Sequence, residues 1–165
     1  MVYPSKEELR RLLTYNEVSG DFTWNVNKSS RARAGKVAGT KSSDGVYIRI
    51  DGRNYAAHRL AFIYIDGVLP SEGHNVDHKD CNHYNNSWGN LRISTFSQNS
   101  CNRRVQSNSK SGIKNISFYK NICKWRVAVS SKGVGSYEEF FDDLELAMLV
   151  ASEARILYHK DFARS

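Results

Sequence analysis

Asp77, His78, Asn90 and Asn99 fall within 23 consecutive positions of the chain. They offer one carboxylate, one imidazole and two carboxamides at fixed offsets, which suits metal-assisted hydrolysis. Breaking a phosphodiester needs an activated water and relief of charge on the phosphate and leaving oxygen. A divalent ion relieves charge without moving protons. Mg²⁺ prefers oxygen ligands and keeps several waters, so the Asp77 carboxylate and the Asn99 carboxamide suffice beside phosphate oxygens. His78 titrates near neutrality in its ordinary state and suits a general base that takes a proton from water. Such a base has to be held in one rotamer and one tautomer. A hydrogen bond from its second ring nitrogen to a nearby carbonyl does that, and Asn90 opens the facing strand. Taken singly, an Asp-His pair is a surface pair and an Asn before a strand is a turn residue. Their shared placement on strand, strand and helix carries the functional reading.

The elements around these residues follow from periodicity and punctuation. Ser5-Lys6-Glu7-Glu8 is a capping box, and Leu9, Leu12 and Leu13 continue it as a helix from Ser5 to about Tyr15. After the turn at Gly20-Asp21, Phe22 to Trp24 reads as a strand. Asn27 to Ser43, with five bases and no acid, reads as a loop, either solvated or laid along a phosphate backbone. Gly45–Ile50 and Asn54–Ala57 form a hairpin about Asp51-Gly52, and a helix spans His58 to Ile65 and ends at Gly67. Asn75–His78 is a strand, Lys79–Gly89 an Asn-rich loop, and Leu91–Ser94 a second strand. Ser94 or Thr95 caps a helix running to about Gln106. Beyond a polar linker come strands over Ile113–Lys120, Cys123–Ser130 and Val134–Phe141, then a helix from Asp143 to about Tyr158. Its apolar stripe is Leu144, Ala147, Met148, Ala151, Ala154 and Tyr158.

Composition narrows the partner. The net charge is +7 over 165 residues, with a pI near 9.4, which favours an anionic partner, nucleic acid first. From Cys81 to Tyr137 there is no acid, against nine bases: Arg92, Arg103, Arg104, Lys110, Lys114, Lys120, Lys124, Arg126 and Lys132. Glu138 to Ser165 reverses this, with seven acids and three bases. A solvated surface mixes both signs, so the acid-free stretch reads as phosphate-binding. No segment is apolar and long enough to span a bilayer, and the N-terminus lacks an apolar signal core, so a cytoplasmic protein is expected. Cys81, Cys101 and Cys123 are too few and too scattered for a disulfide framework or a four-cysteine zinc site. His58-Arg59, His74, His83 and His159 read as structural or loop residues, and Trp24, Trp88 and Trp125 as packing residues.

The run Asp77-His78-x₁₁-Asn90-Leu91-Arg92-x₆-Asn99-x₂-Asn102 resembles the HNH (ββα-metal) nucleases, most closely the phage-type homing endonucleases whose third motif residue is Asn. Upstream, Gly20-Asp21-Phe22-Thr23-Trp24, Ala57-His58-Arg59-Leu60 and Gly67-Val68-Leu69-Pro70 resemble the usual start of such proteins. Downstream, Ser111-Gly112-Ile113, Lys124-Trp125-Arg126, Gly135-Ser136-Tyr137 and Glu145-x-Ala147 resemble an AP2 DNA-binding domain. The resemblance implies His78 as general base, Asp77 and Asn99 as ligands of one Mg²⁺ or Mn²⁺ ion, and Asn90 as the residue that fixes the loop and orients His78. It implies products with 5′-phosphate and 3′-hydroxyl ends. The Cys pairs that hold structural zinc in many HNH proteins are missing, so zinc is not expected.

The expected fold is α+β. A ββα-metal core at about 75–106 lies within a nuclease domain at 1–106 that has an N-terminal helix and strand extension. A linker at 107–111 and an AP2-like three-stranded antiparallel sheet with one helix at 112–165 follow. Expected contacts to double-stranded DNA are Arg103, Arg104, Lys114, Asn115, Ser117, Tyr119, Lys120, Lys124, Arg126 and Lys132. The expected activity is a monomeric, site-preferring DNA endonuclease that nicks or cuts both strands, in the host cytosol if phage-encoded. The competing readings are a non-catalytic DNA-binding regulator, a bacteriocin-like nuclease toxin and an RNA-cutting enzyme.

Overall fold

The computed structural model describes residues 3–102, 105, 109 and 111–163. The chain is α+β and divides into two compact units, Met1–Ile93 and Ser94–Ser165. The division falls ahead of the expected linker, of which Ser107, Asn108 and Lys110 lie outside the described residues. Among the described residues no helix is long and apolar enough to cross a membrane.

In the first unit the Ser5 hydroxyl accepts the Glu8 backbone N–H at 3.2 Å and starts helix α1, Lys6–Leu12. The sequence predicts this helix to about Tyr15, but Leu13–Tyr15 is strand β1. Burial decides it: Leu13 and Tyr15 alternate inward around exposed Thr14, and they pair with Trp24 and Phe22 of β2, Phe22–Trp24. A strand buries both side chains on one face. The segment expected to be a loop ends in two strands. Val37–Ala38 (β3) extends the first sheet, and Thr40–Ser42 (β4) edges a second one with β5, Gly45–Ile50, and β6, Arg53–Ala56. The polar composition of 27–43 hides them, since edge strands expose most side chains. Helix α2, Ala57–Asp66, stops at Gly67, whose φ of +85° favours glycine.

Leu9, Leu12, Leu13, Phe22, Ile48 and Leu60 fill the core of this unit with at most 1% of their surface exposed. Each such burial contributes about 1.5–3 kcal/mol. Strand β7, His74–His78, and β8, Leu91–Thr95, make a two-stranded sheet, with a 3-10 turn, Trp88–Asn90, leading into β8. Val76 and Leu91 point into the core and so anchor both strands.

The second unit begins with helix α3, Phe96–Cys101, opened by a complete capping box between Thr95 and Gln98. The sequence predicts α3 to about Gln106, but it ends at Cys101 with Asn102 as its cap. Strands β9, Ile116–Tyr119, β10, Lys124–Ser131, and β11, Gly135–Phe141, form an antiparallel sheet with β10 in the middle. Helix α4, Leu144–His159, packs on one face through Ala147, Ala151 and Ala154 against Ile116, Val127 and Val129. Met148, read as part of that stripe, is 44% exposed. His159, read as a structural or loop residue, closes α4 as a buried residue with Nε2 3.1 Å from the Ser130 carbonyl oxygen.

Candidate active site

Strand alternation would send Asp77 and His78 to opposite faces, and both are buried, at 7% and 3% exposure. The Asp77 carboxylate accepts the Arg92 Nε–H at 2.9 Å. Arg92 lies on the neighbouring strand β8, so the ion pair staples the two strands beside the site. Sequence reading placed Arg92 in the motif and among the bases of the acid-free stretch, with no pairing to Asp77. A lone Arg between Leu91 and Ile93, on the strand that pairs with the one carrying Asp77, was the available signal for it.

The His78 ring sits between two others. His58, at the start of α2, packs edge-on with centroids 5.2 Å apart, and His83, in the Asn-rich loop, does so at 5.5 Å. Burial first, and then the neighbouring His83, holds His78 below its ordinary value, against the opposing effect of its hydrogen bond to the Asn86 oxygen. His58 is pushed down to about 3, by burial first and then by His78 and Arg59. Both rings are therefore neutral at pH 7, the state a general base needs. His58 and His83, expected to be structural or loop residues, thus form the immediate surroundings of His78. Their wide separation in sequence concealed this.

Asn90 hydrogen-bonds within the Asn-rich loop. Its amide nitrogen donates to Asp80 Oδ1 at 3.0 Å and to the Asn85 carbonyl at 2.8 Å, and its oxygen accepts the Asp80 backbone N–H at 3.1 Å. Asp80 also accepts from Asn82 N and Asn85 Nδ2, both at 2.8 Å. Burial opposes the charge of Asp80, but these bonds outweigh it and hold the carboxyl below the usual range. Orientation of His78 falls elsewhere than expected: Nε2 lies 3.0 Å from Oδ1 of Asn86, a buried residue four positions before Asn90. The amide atoms of Asn90 are occupied by Asp80 and Asn85, so Asn86 takes that role in the geometry.

Asn99, the second expected ligand, lies on α3 in the second unit. Among the described residues no three His, Cys, Asp or Glu side chains gather as a metal cluster. One carboxylate and carboxamides are hard oxygen donors, a set that suits a hydrated Mg²⁺ or Mn²⁺ and not a thiolate-bound ion.

The expected DNA contacts divide by environment. Arg103 and Arg104 lie outside the described residues. The cross-strand register puts Ser117, Tyr119, Lys124 and Arg126 on the sheet face away from α4. Arg126 stacks over Tyr119, its guanidinium carbon 5.8 Å from the ring centroid. Lys120 and Lys132 sit exposed in the turns flanking β10. Two of the expected contacts hold backbone instead. Lys114 Nζ donates to the Cys101 carbonyl at 2.6 Å, and Asn115 Nδ2 donates to the Ala128 carbonyl at 2.9 Å. Asn115 has φ +65°, a turn conformation its short amide tolerates. Acids from β11 and beyond share the outer face. Glu138 takes Arg126 in a bidentate pair at 2.7 and 2.9 Å, and Asp142 takes Lys124 at 3.1 Å.

A family model described as HNH endonuclease matches residues 55–101, which span β6 to α3 and include Asp77, His78, Asn90 and Asn99. Protein 3.8 of Escherichia phage T7 is 32% identical over 99 residues, 60% of this chain and 80% of that protein. An uncharacterized HNH endonuclease of Acanthamoeba polyphaga mimivirus is 44% identical over 61 residues, 36% of this chain and 32% of that protein, so the chain spans about a third of its length. No solved structure matches. The chain therefore belongs to the family of the phage T7 protein 3.8 and is an HNH endonuclease, a hydrolase of DNA phosphodiester bonds.

Proposed function

We propose that this protein is a metal-dependent, site-preferring endonuclease of the phage homing type, with a nuclease domain at 1–106, a linker at 107–111 and an AP2-like DNA-binding domain at 112–165. The observation that carries the reading is His78: a buried, neutral imidazole, tied through one ring nitrogen, next in sequence to a carboxylate. His78 takes the proton of a water molecule whose oxygen attacks phosphorus. The bond from phosphorus to the 3′-oxygen breaks, leaving a 5′-phosphate and, after protonation by solvent, a 3′-hydroxyl. Asp77 and Asn99 would hold one divalent ion, Mg²⁺ or Mn²⁺, which when bound relieves charge on the phosphate and the leaving oxygen. Arg92 holds the Asp77 carboxylate in place, and Asn90 with Asp80 fixes the intervening loop.

The second unit supports a DNA-binding role through its sheet, whose outer face carries Ser117, Tyr119, Lys124 and Arg126, since a sheet face of this type can enter a major groove. Arg103, Arg104, Lys120 and Lys132 add phosphate contacts in this reading. Lys114 and Asn115 act through the backbone they hold. One centre attacks one strand, so a monomer nicks in one visit and cuts both strands only in two, in the cytoplasm, which is the host's if the gene is a phage's.

The test uses supercoiled plasmid and duplex RNA side by side, with Mg²⁺, Mn²⁺ or chelator. The expected result is nicked DNA with either metal, sealed by DNA ligase, which requires 5′-phosphate and 3′-hydroxyl ends. Intact DNA of varied sequence with both metals would favour the regulator reading. Cleavage of RNA alone would favour an RNA substrate. Failure to express the active chain without a protective partner protein would favour the toxin reading.

A further inference from the structure

The acceptor facing His78 Nε2 belongs to a residue that the fold holds from two directions. Asn86 is 2% exposed, and its Oδ1 lies 3.0 Å from His78 Nε2. On the loop side, Asn85 is bonded to Asp80 and to Asn90, and Asn90 in turn to Asp80. On the other side stands the turn between β1 and β2. Tyr15 donates its hydroxyl to the Asn86 carbonyl at 2.6 Å. Trp88 N–H donates to the Glu17 carbonyl at 2.8 Å. Gly20, with φ +78°, comes so close that a Cβ there would stand 2.2 Å from the Asn86 carbonyl carbon and 2.3 Å from Ser87 N. Only a residue without a side chain fits that approach.

We infer that Asn86 is the positioning residue that sets the tautomer and ring plane of His78, and that the β1–β2 turn, through Tyr15, Glu17 and Gly20, is a working part of the nuclease centre. The chemistry is one-sided. A carboxamide oxygen only accepts, so Nε2 carries the hydrogen and Nδ1 carries the lone pair. The proton leaving water therefore goes to Nδ1. A wrong tautomer would present an N–H where a base is needed. The inference rests on His78 being the base for its catalytic consequence, but its structural content stands apart from activity.

The direct probe is the ¹⁵N–¹H correlation spectrum of the imidazoles in the full-length protein, with His78 assigned by its loss in His78→Gln. The wild type is expected to show one neutral tautomer for His78, protonated on Nε2. Asn86→Asp keeps an acceptor oxygen and should keep that tautomer, whereas Asn86→Ala should mix the two. Tyr15→Phe, which frees the Asn86 carbonyl without opening a cavity, should broaden or mix the His78 signals. In plasmid nicking, Asn86→Ala should lower kcat roughly tenfold or more with little change in KM, and Asn86→Asp should recover part of it. A wild-type His78 protonated on Nδ1, or an Asn86→Ala spectrum unchanged from wild type, overturns the inference. If Asn86→Ala fails to fold, the wild-type tautomer and the Asn86→Asp spectrum still decide it. The expected spectra together with inactive wild-type protein would leave the inference standing and count against the nuclease reading alone.

Discussion

Replacing Arg92 with Met removes the guanidinium and keeps most of the stem, so it isolates the ion pair with Asp77. The two side chains are 14% and 7% exposed, and the Nε–Oδ2 distance is 2.9 Å. Removing one partner of such a pair strands a charge in a site with little water, which costs about 3–5 kcal/mol. The shallow position of Arg92 argues for the lower end, about 3 kcal/mol. Removing both partners, as Asp77→Asn with Arg92→Met, deletes the stranded charge. The double variant should be more stable than the sum of the singles predicts, by about 1–3 kcal/mol. Urea unfolding at pH 7 in chelator reads this as a shift in midpoint at constant m-value, taken for the transition of the first unit. Divalent ion supplies a second arm. At a hundred times its dissociation constant it adds about 2.7 kcal/mol to any form that binds it. Arg92→Met should keep that gain and Asp77→Asn should lose it. Stability of Arg92→Met within about 0.5 kcal/mol of wild type, the range of an ordinary surface change, would refute the reasoning.

Three further outcomes follow from the same geometry. His58 is held near 3 when folded, against an ordinary value of 6.5, so the unfolded chain binds more protons between those values. Stability should be full above pH 6.5 and fall as pH drops toward 3, by at most about 1.4 kcal/mol per pH unit from this group. His58→Gln should flatten that limb in urea midpoints measured from pH 4 to 8, leaving the smaller contributions of His78 and His159. A wild-type profile that is level over this range contradicts it. Gly20→Ala should destabilise the first unit by more than about 2 kcal/mol, because positive φ and a backbone clash add together. Gly35→Ala, at φ +81° with open space around it, should cost only about 1 kcal/mol, and equal thermal shifts in the two would refute the clash. Glu138→Gln frees Arg126 on the outer sheet face and should tighten DNA binding about two- to fivefold. Arg126→Gln should weaken binding and lower the salt slope by about one. Looser binding by Glu138→Gln would place DNA elsewhere.

The candidate site residues stood out in the sequence because of their types: an imidazole beside a carboxylate, then amides at a set spacing, can be read without knowing the surroundings. Thr95 announced the start of α3 for the same local reason, as did Ser5 and Glu8 for α1. What escaped was decided by contacts far apart in sequence. Leu13 and Tyr15 continue a helical pattern, and only pairing with Trp24 and Phe22 turns them into a strand. Edge strand β3 is only two residues long with Val37 exposed, and β4 exposes all three of its polar side chains, so neither carries an apolar alternation to read. Asn86 looks like one of several loop asparagines until His78 and Tyr15 converge on it. The acids of Glu138 and Asp142 stand outside the acid-free stretch in sequence, yet antiparallel pairing returns them beside Arg126 and Lys124.

The most direct measurement of the central claim is the rate of Mg²⁺- or Mn²⁺-dependent nicking of supercoiled plasmid by wild type and by His78→Ala, with folding matched by circular dichroism. Losing a general base removes roughly 10²–10⁴-fold in rate. Wild type should nick with metal, and the folded variant should show a loss of that size. Nicking by His78→Ala within a few-fold of wild type would contradict it.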